Sequence, residues 1–172
     1  MLGNKINSMD LKEININHFA IKEAVFPFKR FTGVDTILGP EMRSTGEVMG
    51  IDRDFGMAFA KSQIGSGSRI PTEGSVFVSV KDSDKDKILN PVSDLFSLGF
   101  DIYATHGTAE FLNNNNIQTK KINKVLQGSP HIVEMISEKK ISLVLNTTET
   151  PQAIKDSKSI RRSALESETP YY

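Results

Sequence analysis

From Gly74 onward, short apolar runs alternate with segments of helical periodicity, and this alternation constrains the fold more than any other feature of the chain. The apolar runs lie at 76–80, 100–104, 117–122 and 141–145, and the helical segments at 85–98, 107–112, 131–138 and 151–159. A helix between two strands carries the chain back across the sheet, so that such strands pair in parallel. The pattern therefore predicts an α/β fold, a parallel sheet flanked by helices on its faces.

The composition excludes several classes of protein. Lys plus Arg and Asp plus Glu both total 21, so no overall charge predicts binding to nucleic acid or to a membrane. The chain has no cysteine, which excludes a disulfide framework, a thiol nucleophile and cysteine-bound zinc. Its three histidines have no partner at metal-ligand spacing, and no apolar stretch approaches the roughly 20 residues of a membrane span. The N-terminus lacks a signal-peptide core, so we expect a cytoplasmic protein without a metal site.

The first part of the chain has a different character. Residues 1 to about 40 mix apolar side chains with prolines and glycines, a pattern typical of short strands joined by turns. Ser44 and Glu47 have the spacing of a capping box, and a helix is expected over about 52–64. The linker Gly65–Ser68 follows. Because this first part is too small to bury its apolar residues alone, it is interpreted as a piece of a larger unit, and Met1 as an internal methionine of a longer chain.

Two hydroxyl-rich turns follow predicted strands and indicate a binding site. Thr105-His106-Gly107-Thr108 comes after the run 100–104, and Asn146-Thr147-Thr148 ends the run 141–145. The first turn of a helix has unpaired N–H groups and the positive end of the helix dipole, and both favour a phosphate. Ligands of parallel sheets bind at the carboxyl ends of strands, so the two turns suggest one pocket. Simple helix capping would also explain either turn.

Several blocks of the sequence together resemble the C-terminal part of carbamoyl phosphate synthase large chains, from about Ile21 to Tyr172. They are Gly39–Gly50 (GPEMRSTGEVMG), Ala104–Thr108 (ATHGT), Asn123–Val125 (NKV), Pro130–Ile132 (PHI), Asn146–Thr148 (NTT) and Ile160–Leu165 (IRRSAL). The resemblance implies that residues 1–70 are the C-terminal remnant of an ATP-grasp domain, made of short strands and a helix. It implies that residues 71–172 are a methylglyoxal-synthase-like domain, a Rossmann-like three-layer fold that lacks its closing helix here.

The same resemblance implies a regulatory function. In regulated members of the family this last domain binds UMP as an inhibitor and IMP as an activator, and ornithine activates from a site between it and the preceding domain. The regulated reaction is ATP- and glutamine-dependent formation of carbamoyl phosphate for arginine and pyrimidine biosynthesis. The implied partners are the rest of the large chain, the glutaminase small chain and other large chains. The parent uses ATP with Mg²⁺ or Mn²⁺, whose ligands would lie upstream of Met1, so this chain alone is expected to be non-catalytic and without a cofactor.

The resemblance also assigns residues to these sites. A nucleotide phosphate would be bound by the following set: Lys85, Thr105, Thr108, Lys124, Asn146, Thr147 and Thr148. Hydroxyls and amides can bond phosphate oxygens, and a lysine supplies the charge that a dianion needs. For ornithine the family positions are Glu23 and Tyr171. A carboxylate can pair with an ammonium group, and a tyrosine can contribute its hydroxyl or its ring.

Three alternatives remain open. A free-standing methylglyoxal synthase would need carboxylates beside the phosphate, but the loop Gln127–His131 has no aspartate and Asp101 is assigned a structural role. An inosinate cyclohydrolase fragment shares the fold, yet the Gly39–Gly50 block argues against both enzymes. The pocket could also be vestigial, in a domain that acts as a spacer. His131 is expected to start a helix, and Arg161-Arg162 to follow one.

Overall fold

The computed structural model describes residues 15–26, 46–123, 128–149 and 151–172, and the fold is drawn from these. The strands are β1 (Phe19–Val25), β2 (Gly46–Asp52), β3 (Ser75–Ser79), β4 (Asp101–Ala104), β5 (Thr119–Lys121) and β6 (Leu143–Asn146). The α-helices are α1 (Phe55–Gly65), α2 (Lys85–Ser97), α3 (His106–Asn114), α4 (Ile132–Ser137) and α5 (Pro151–Glu166), with a 3-10 turn at Asp82–Asp84. None of the helices in these ranges has both the length and the apolar character needed to cross a membrane.

Four strands form a parallel sheet in the order β5-β4-β3-β6. Residues 170–172 lie along the outer side of β6, where Tyr171 forms a parallel bridge with Val144. The backbone N–H of Tyr172 donates to the Val144 carbonyl oxygen at 2.9 Å, and the N–H of Asn146 donates to the Tyr172 carbonyl oxygen at 2.8 Å. The predicted parallel α/β sheet is thus confirmed, with segment 170–172 as a short addition at its edge.

Each face of the sheet is covered by a pair of helices. Because side chains alternate along a strand, Val76 and Val78 face one way and Phe77 the other. The first face packs against α2 and α3, and its buried residues are Val76, Val78, Val92, Phe100, Ile102, Ala104, Ala109, Leu112, Ile117 and Leu143. The second packs against α4 and α5, with Phe77, Ile122, Ile132, Ile136, Ile141, Val144, Ile160 and Ala164 buried. This is the predicted three-layer arrangement.

The N-terminal unit, which consists of β1, β2 and α1, is a two-stranded antiparallel sheet with one helix packed on it. The helix crosses close to Gly50, where an added Cβ would overlap the Ala58 carbonyl oxygen and the Ser62 nitrogen. Glu47, the end of the expected capping box, lies inside β2, so that interpretation is wrong. The helix instead begins after Asp54, whose carboxylate accepts a hydrogen bond from the Met57 N–H at 2.9 Å.

The prediction that His131 starts a helix is confirmed. Its side chain accepts a bond from the backbone N–H of Glu134, and its own N–H donates to the Glu134 carboxylate at 2.9 Å, which completes a capping box. Ser129 Oγ donates to the same carboxylate at 3.0 Å. The N–H of His131 and the hydroxyl of Ser129 hold the pKa of Glu134 below its ordinary value, although partial burial acts in the opposite direction.

The expectation that Arg161-Arg162 follow a helix is wrong, since both lie within α5. Ile160 and Ala164 are one helical turn apart and both pack into the core, so the helix continues past the expected end at Ser159. Arg161 is buried, and its Nη1 donates to Ser157 Oγ at 2.6 Å. Arg162 Nε donates to Glu166 at 2.9 Å on the exposed side of the helix.

Candidate functional site

The candidate site lies where β3, β4 and β6 end. β3 is the central strand of the three, with β4 on one side and β6 on the other. In chain order β4 is added on one side of β3 and β6 later on the other, which makes the carboxyl end of β3 a topological switch point. Ligands of open α/β sheets bind at such points. Both hydroxyl-rich turns, Thr105–Thr108 and Asn146–Thr148, open onto this edge.

Three hydroxyls meet at this edge and are called the hydroxyl cluster: Ser79, Thr105 and Thr108. Thr105 Oγ1 lies 3.3 Å from Ser79 Oγ and 3.5 Å from Thr108 Oγ1, and Thr108 Oγ1 lies 3.5 Å from the Val80 carbonyl oxygen. Hydroxyl hydrogen bonds are ordinarily 2.7–2.8 Å long, so these contacts are weak. Thr105 and Thr108 are buried all the same. Buried hydroxyls with weak mutual bonds can reorient toward the oxygens of an anion.

Thr105 occupies the N-cap position of α3 but makes no side-chain capping bond. Its hydroxyl instead points to Ser79 and Thr108. Simple capping, the alternative explanation of this turn, is therefore not what the Thr105 side chain does. The first turn of α3 keeps its positive dipole end toward the hydroxyl cluster.

Lys85 brings an ammonium group to the same helix end. A methyl group placed on Gly107, in the first turn of α3, would stand 3.7 Å from Lys85 Nζ. The ammonium pairs with the exposed carboxylate of Asp82 at 2.7 Å. A lysine beside the positive end of a helix dipole is electrostatically unfavourable unless an anion lies near both. This arrangement favours a phosphate between Lys85 and α3.

The turn after β6 is fastened to the loop after β3. The Thr147 N–H donates to the Ser79 carbonyl oxygen, and Thr147 Oγ1 accepts from the Lys81 N–H, both at 3.0 Å. Burial raises the pKa of the Asp84 carboxyl, but hydrogen bonds from Lys87 and from the Thr147 hydroxyl, with the charge of Lys81, bring it below its ordinary value. These two bonds, one from the Thr147 backbone and one to its side chain, hold the turn after β6 against the loop after β3.

Asn146 links the two predicted sites. Its Nδ2 donates to Tyr171 Oη at 2.6 Å, so a residue predicted to bind nucleotide contacts one predicted to bind ornithine. Glu23 lies half-buried on β1. The pKa of Tyr172 is raised first by the partial burial of its own side chain and second by the negative charge of Glu23. Asn146 therefore contacts segment 170–172, which contains Tyr171, and the charge of Glu23 acts on Tyr172 of the same segment.

The other predicted residues have different outcomes. Thr148 is half-buried just beyond β6. Lys124 lies outside the described residues, so its placement stays a prediction. Ser79 and Lys81 were not predicted to belong to the site. Both lie at the carboxyl end of β3, and ligands of parallel sheets bind at the carboxyl ends of strands, so the sequence could have indicated them. In the described ranges no group of three His, Cys, Asp or Glu side chains could hold a metal ion.

Comparison with known proteins gives a matching family and close relatives. The family model of the MGS-like domain matches residues 87–172. The carbamoyl phosphate synthase large chain of Brucella suis is 57% identical over 155 residues, which are 90% of this chain and 13% of that protein. The protein of the same name from Myxococcus xanthus is 47% identical over 173 residues, 100% of this chain and 16% of that protein. The chain thus spans about one seventh of the length of these relatives.

A solved structure, the methylglyoxal synthase of Elizabethkingia anophelis, superposes with a TM-score of 0.49 at 18% identity. The superposition covers 59% of this chain and 72% of the other.

Proposed function

This chain belongs to the MGS-like domain family, and from that membership we propose that it is the effector-binding part of a carbamoyl phosphate synthase large chain. The effector would be a nucleotide monophosphate of the UMP or IMP type. One observation carries the proposal, namely the hydroxyl cluster with weak internal bonds next to the Lys85 ammonium and the first turn of α3. This is a set of donors and positive charge that suits a phosphate monoester.

In the proposed complex the phosphate lies over the first turn of α3. Thr105 and Thr108 would donate their hydroxyl protons to its oxygens, and Lys85 would exchange its exposed partner Asp82 for the phosphate. That exchange costs little, because an ion pair with an exposed carboxylate contributes little to stability. Lys124 would add a second charge. Asn146 and Thr148 would contact the nucleoside side of the ligand, and Thr147 would hold their turn in place.

The wider setting is also part of the proposal. The boundary between residues 1–70 and 71–172 would separate the end of an ATP-grasp domain, represented here by the N-terminal unit, from the regulatory domain. The parent would be a cytoplasmic ligase of arginine and pyrimidine biosynthesis that works with a glutaminase small chain. It would bind ATP with Mg²⁺ or Mn²⁺ in parts of the large chain other than the described residues. This chain would not catalyse the reaction alone.

Ornithine would bind at the junction of the N-terminal unit and segment 170–172. Glu23 offers a half-buried carboxylate there, which suits an ammonium group. The Tyr171 hydroxyl already contacts Asn146, so an ornithine site at this junction would share a residue contact with the nucleotide site.

A lyase function has less support from the residues near the hydroxyl cluster. Of the carboxylates in the part of the chain that the structure describes, those in the loop after β3 are Asp82, bonded to Lys85, and Asp84, bonded to Lys87 at 3.2 Å. Lysine contacts lower the pKa of both, which makes them weak proton acceptors. Asp101 begins β4, at the opposite end of the strand from the site, and pairs with Lys120 at 3.0 Å.

Calorimetric titration with UMP, IMP and inorganic phosphate tests the proposal. We expect saturable binding by the wild-type chain and markedly weaker binding by Thr108→Val and Lys124→Ala, each checked for folding by circular dichroism. A folded wild type that binds none of the three at millimolar concentration would support the spacer alternative. Formation of methylglyoxal by the wild type would support the lyase.

A further inference from the structure

Tyr172 contacts both halves of the described structure. Its backbone makes two hydrogen bonds to β6: its N–H donates to the Val144 carbonyl oxygen, and its carbonyl oxygen accepts from the Asn146 N–H. Its side chain reaches α1, where Oη donates to Gln63 Oε1 at 3.2 Å and the ring lies 6.4 Å from that of Phe59, centroid to centroid. A single residue therefore joins the turn that carries Asn146 to the helix of the N-terminal unit.

The burial of Gln63 makes its hydrogen bond with Tyr172 structurally important. Gln63 is a polar side chain with only 8% of its surface exposed, and a buried amide needs hydrogen-bond partners. Its oxygen accepts from a hydroxyl that lies 109 positions later in the chain. A tyrosine hydroxyl keeps its proton near neutral pH and is a donor there. Partial burial, followed by the charge of Glu23, raises the pKa of Tyr172 further. Movement of Tyr172 would leave the buried oxygen of Gln63 without this donor.

Asn146 forms the other end of the connection. Two bonds tie it to segment 170–172, one from its backbone N–H to the Tyr172 carbonyl oxygen and one from Nδ2 to Tyr171 Oη. A ligand that draws the turn of Asn146 toward the hydroxyl cluster must therefore displace segment 170–172 or be restrained by it. Either effect reaches α1 through the Tyr172 side chain.

We propose that Tyr172 is a positioning residue that couples anion binding at the hydroxyl cluster to the packing of α1, through its hydrogen bond to Gln63. The proposal rests on the proposed function for the anion itself. Coupling between two sites is reciprocal in free energy. Loss of the Tyr172–Gln63 bond therefore changes both the response of α1 to ligand and the affinity of the hydroxyl cluster for ligand.

The experiment is amide hydrogen exchange on the 172-residue chain, with and without saturating UMP, and with inorganic phosphate as a second probe. Tyr172→Phe removes only the hydroxyl, and Gln63→Leu removes the amide that contains its acceptor oxygen. The double variant tests whether the two act as one pair. Tyr103→Phe removes a tyrosine hydroxyl on β4 and is the matched control. Exchange in α3 reports binding itself, and exchange in α1 reports the coupling.

We expect UMP to slow exchange in both α3 and α1 of the wild type and of Tyr103→Phe. The three variants Tyr172→Phe, Gln63→Leu and the double variant should behave alike. In each, UMP should still slow exchange in α3 but no longer in α1. The affinity for UMP should change two- to several-fold, by the same factor in all three. A response of α1 that persists in Tyr172→Phe overturns the coupling, as does a wild type in which only α3 responds. If Tyr172→Phe does not fold, Gln63→Leu decides by the same criteria. A wild type that binds neither probe overturns the proposed function, and this inference with it.

Discussion

Asn146 Nδ2 donates a hydrogen bond to Tyr171 Oη at 2.6 Å, across 25 positions of the chain. One partner belongs to the candidate nucleotide site and the other to the candidate ornithine site. A tyrosine predicted to serve one ligand thus holds an amide predicted to serve the other. The two candidate sites therefore share a contact, and a change at either residue should alter ligand binding at both.

Tyr171→Phe tests this relationship. It removes the acceptor of the Asn146 amide while keeping the ring in the core, so we expect weaker binding of UMP by about fivefold, in line with a net hydrogen bond of about 1 kcal/mol. Calorimetry measures the affinity, and Glu23→Gln is the control, since it should affect ornithine but leave UMP binding unchanged. Equal UMP affinity in wild type and Tyr171→Phe would show that the Asn146–Tyr171 bond has no role in nucleotide binding.

Thr108→Val tests the hydroxyl cluster. Valine has the shape of threonine without its hydroxyl, and Thr108 is only 2% exposed. Because a hydrogen bond to a charged group contributes about 1.5–3 kcal/mol, the affinity for UMP and for inorganic phosphate should fall about 10- to 100-fold. Thr119→Val is the matched control, since that buried hydroxyl, on β5, bonds to the Ile117 carbonyl oxygen just before the strand. The prediction fails if the two variants bind phosphate equally well.

Lys85→Gln tests the ammonium beside α3. Removing a charge-assisted contact should weaken phosphate binding by about tenfold or more and reduce its dependence on salt. Without ligand the variant should be about as stable as the wild type, because the Asp82 partner is exposed and the lysine faces a positive helix end. Calorimetry at two salt concentrations and thermal unfolding measure the two effects. Lys87→Gln, which removes an exposed lysine paired with Asp84, should change neither by much.

Gly50→Ala tests the packing of the N-terminal unit. The added methyl would overlap backbone atoms of Ala58 and Ser62, which cannot move as a side-chain end could. We expect a loss of stability of at least about 1–3 kcal/mol, the range of overpacked cores. Gly46→Ala lies in the same strand with no atom within 4 Å of the new methyl and is the control. Urea unfolding that gives the same midpoint for both variants would contradict the close helix–strand crossing.

The lowered pKa of Glu134 predicts that the stability of the fold depends on pH. Hydrogen bonds from the His131 N–H and the Ser129 hydroxyl lower its pKa in the folded state from the ordinary 4.5. The ionised carboxylate therefore stabilises the fold fully above pH 4.5, and this stabilisation disappears as the pH falls through the lower folded value. The difference in Tm between wild type and Glu134→Gln should shrink as the pH falls from 5 toward 3. Glu73→Gln, on an exposed loop, should show no such trend.

The local features of the fold could be predicted from the sequence because their causes are local. Apolar runs alternating with helical periodicity predict β3, β4 and β6 to within about two residues. His131 after a proline predicts the start of α4. The end of α5 was mispredicted because the polar residues before Ile160 resemble a terminus, whereas tertiary packing of Ile160 and Ala164 extends the helix.

The candidate site was predictable only in part. Thr105 and Thr108 belong to one turn, so their proximity follows from the sequence. Ser79 joins them only because β3 and β4 are neighbours in the sheet, and the Gln63–Tyr172 bond spans 109 positions. Contacts of this kind depend on strand order and on docking between units, which short-range patterns do not encode.

Segment 170–172 also has a consequence for the order of folding. A ribosome finishes β3, β4 and β6 some two dozen residues before it adds Pro170. Until then the outer backbone of β6 is an open edge, which can pair with strands of other chains. Docking of segment 170–172 covers the outer backbone of β6 and fixes the Asn146 turn in the same event. The growing chain thus covers this strand edge and fixes one side of its candidate binding site together.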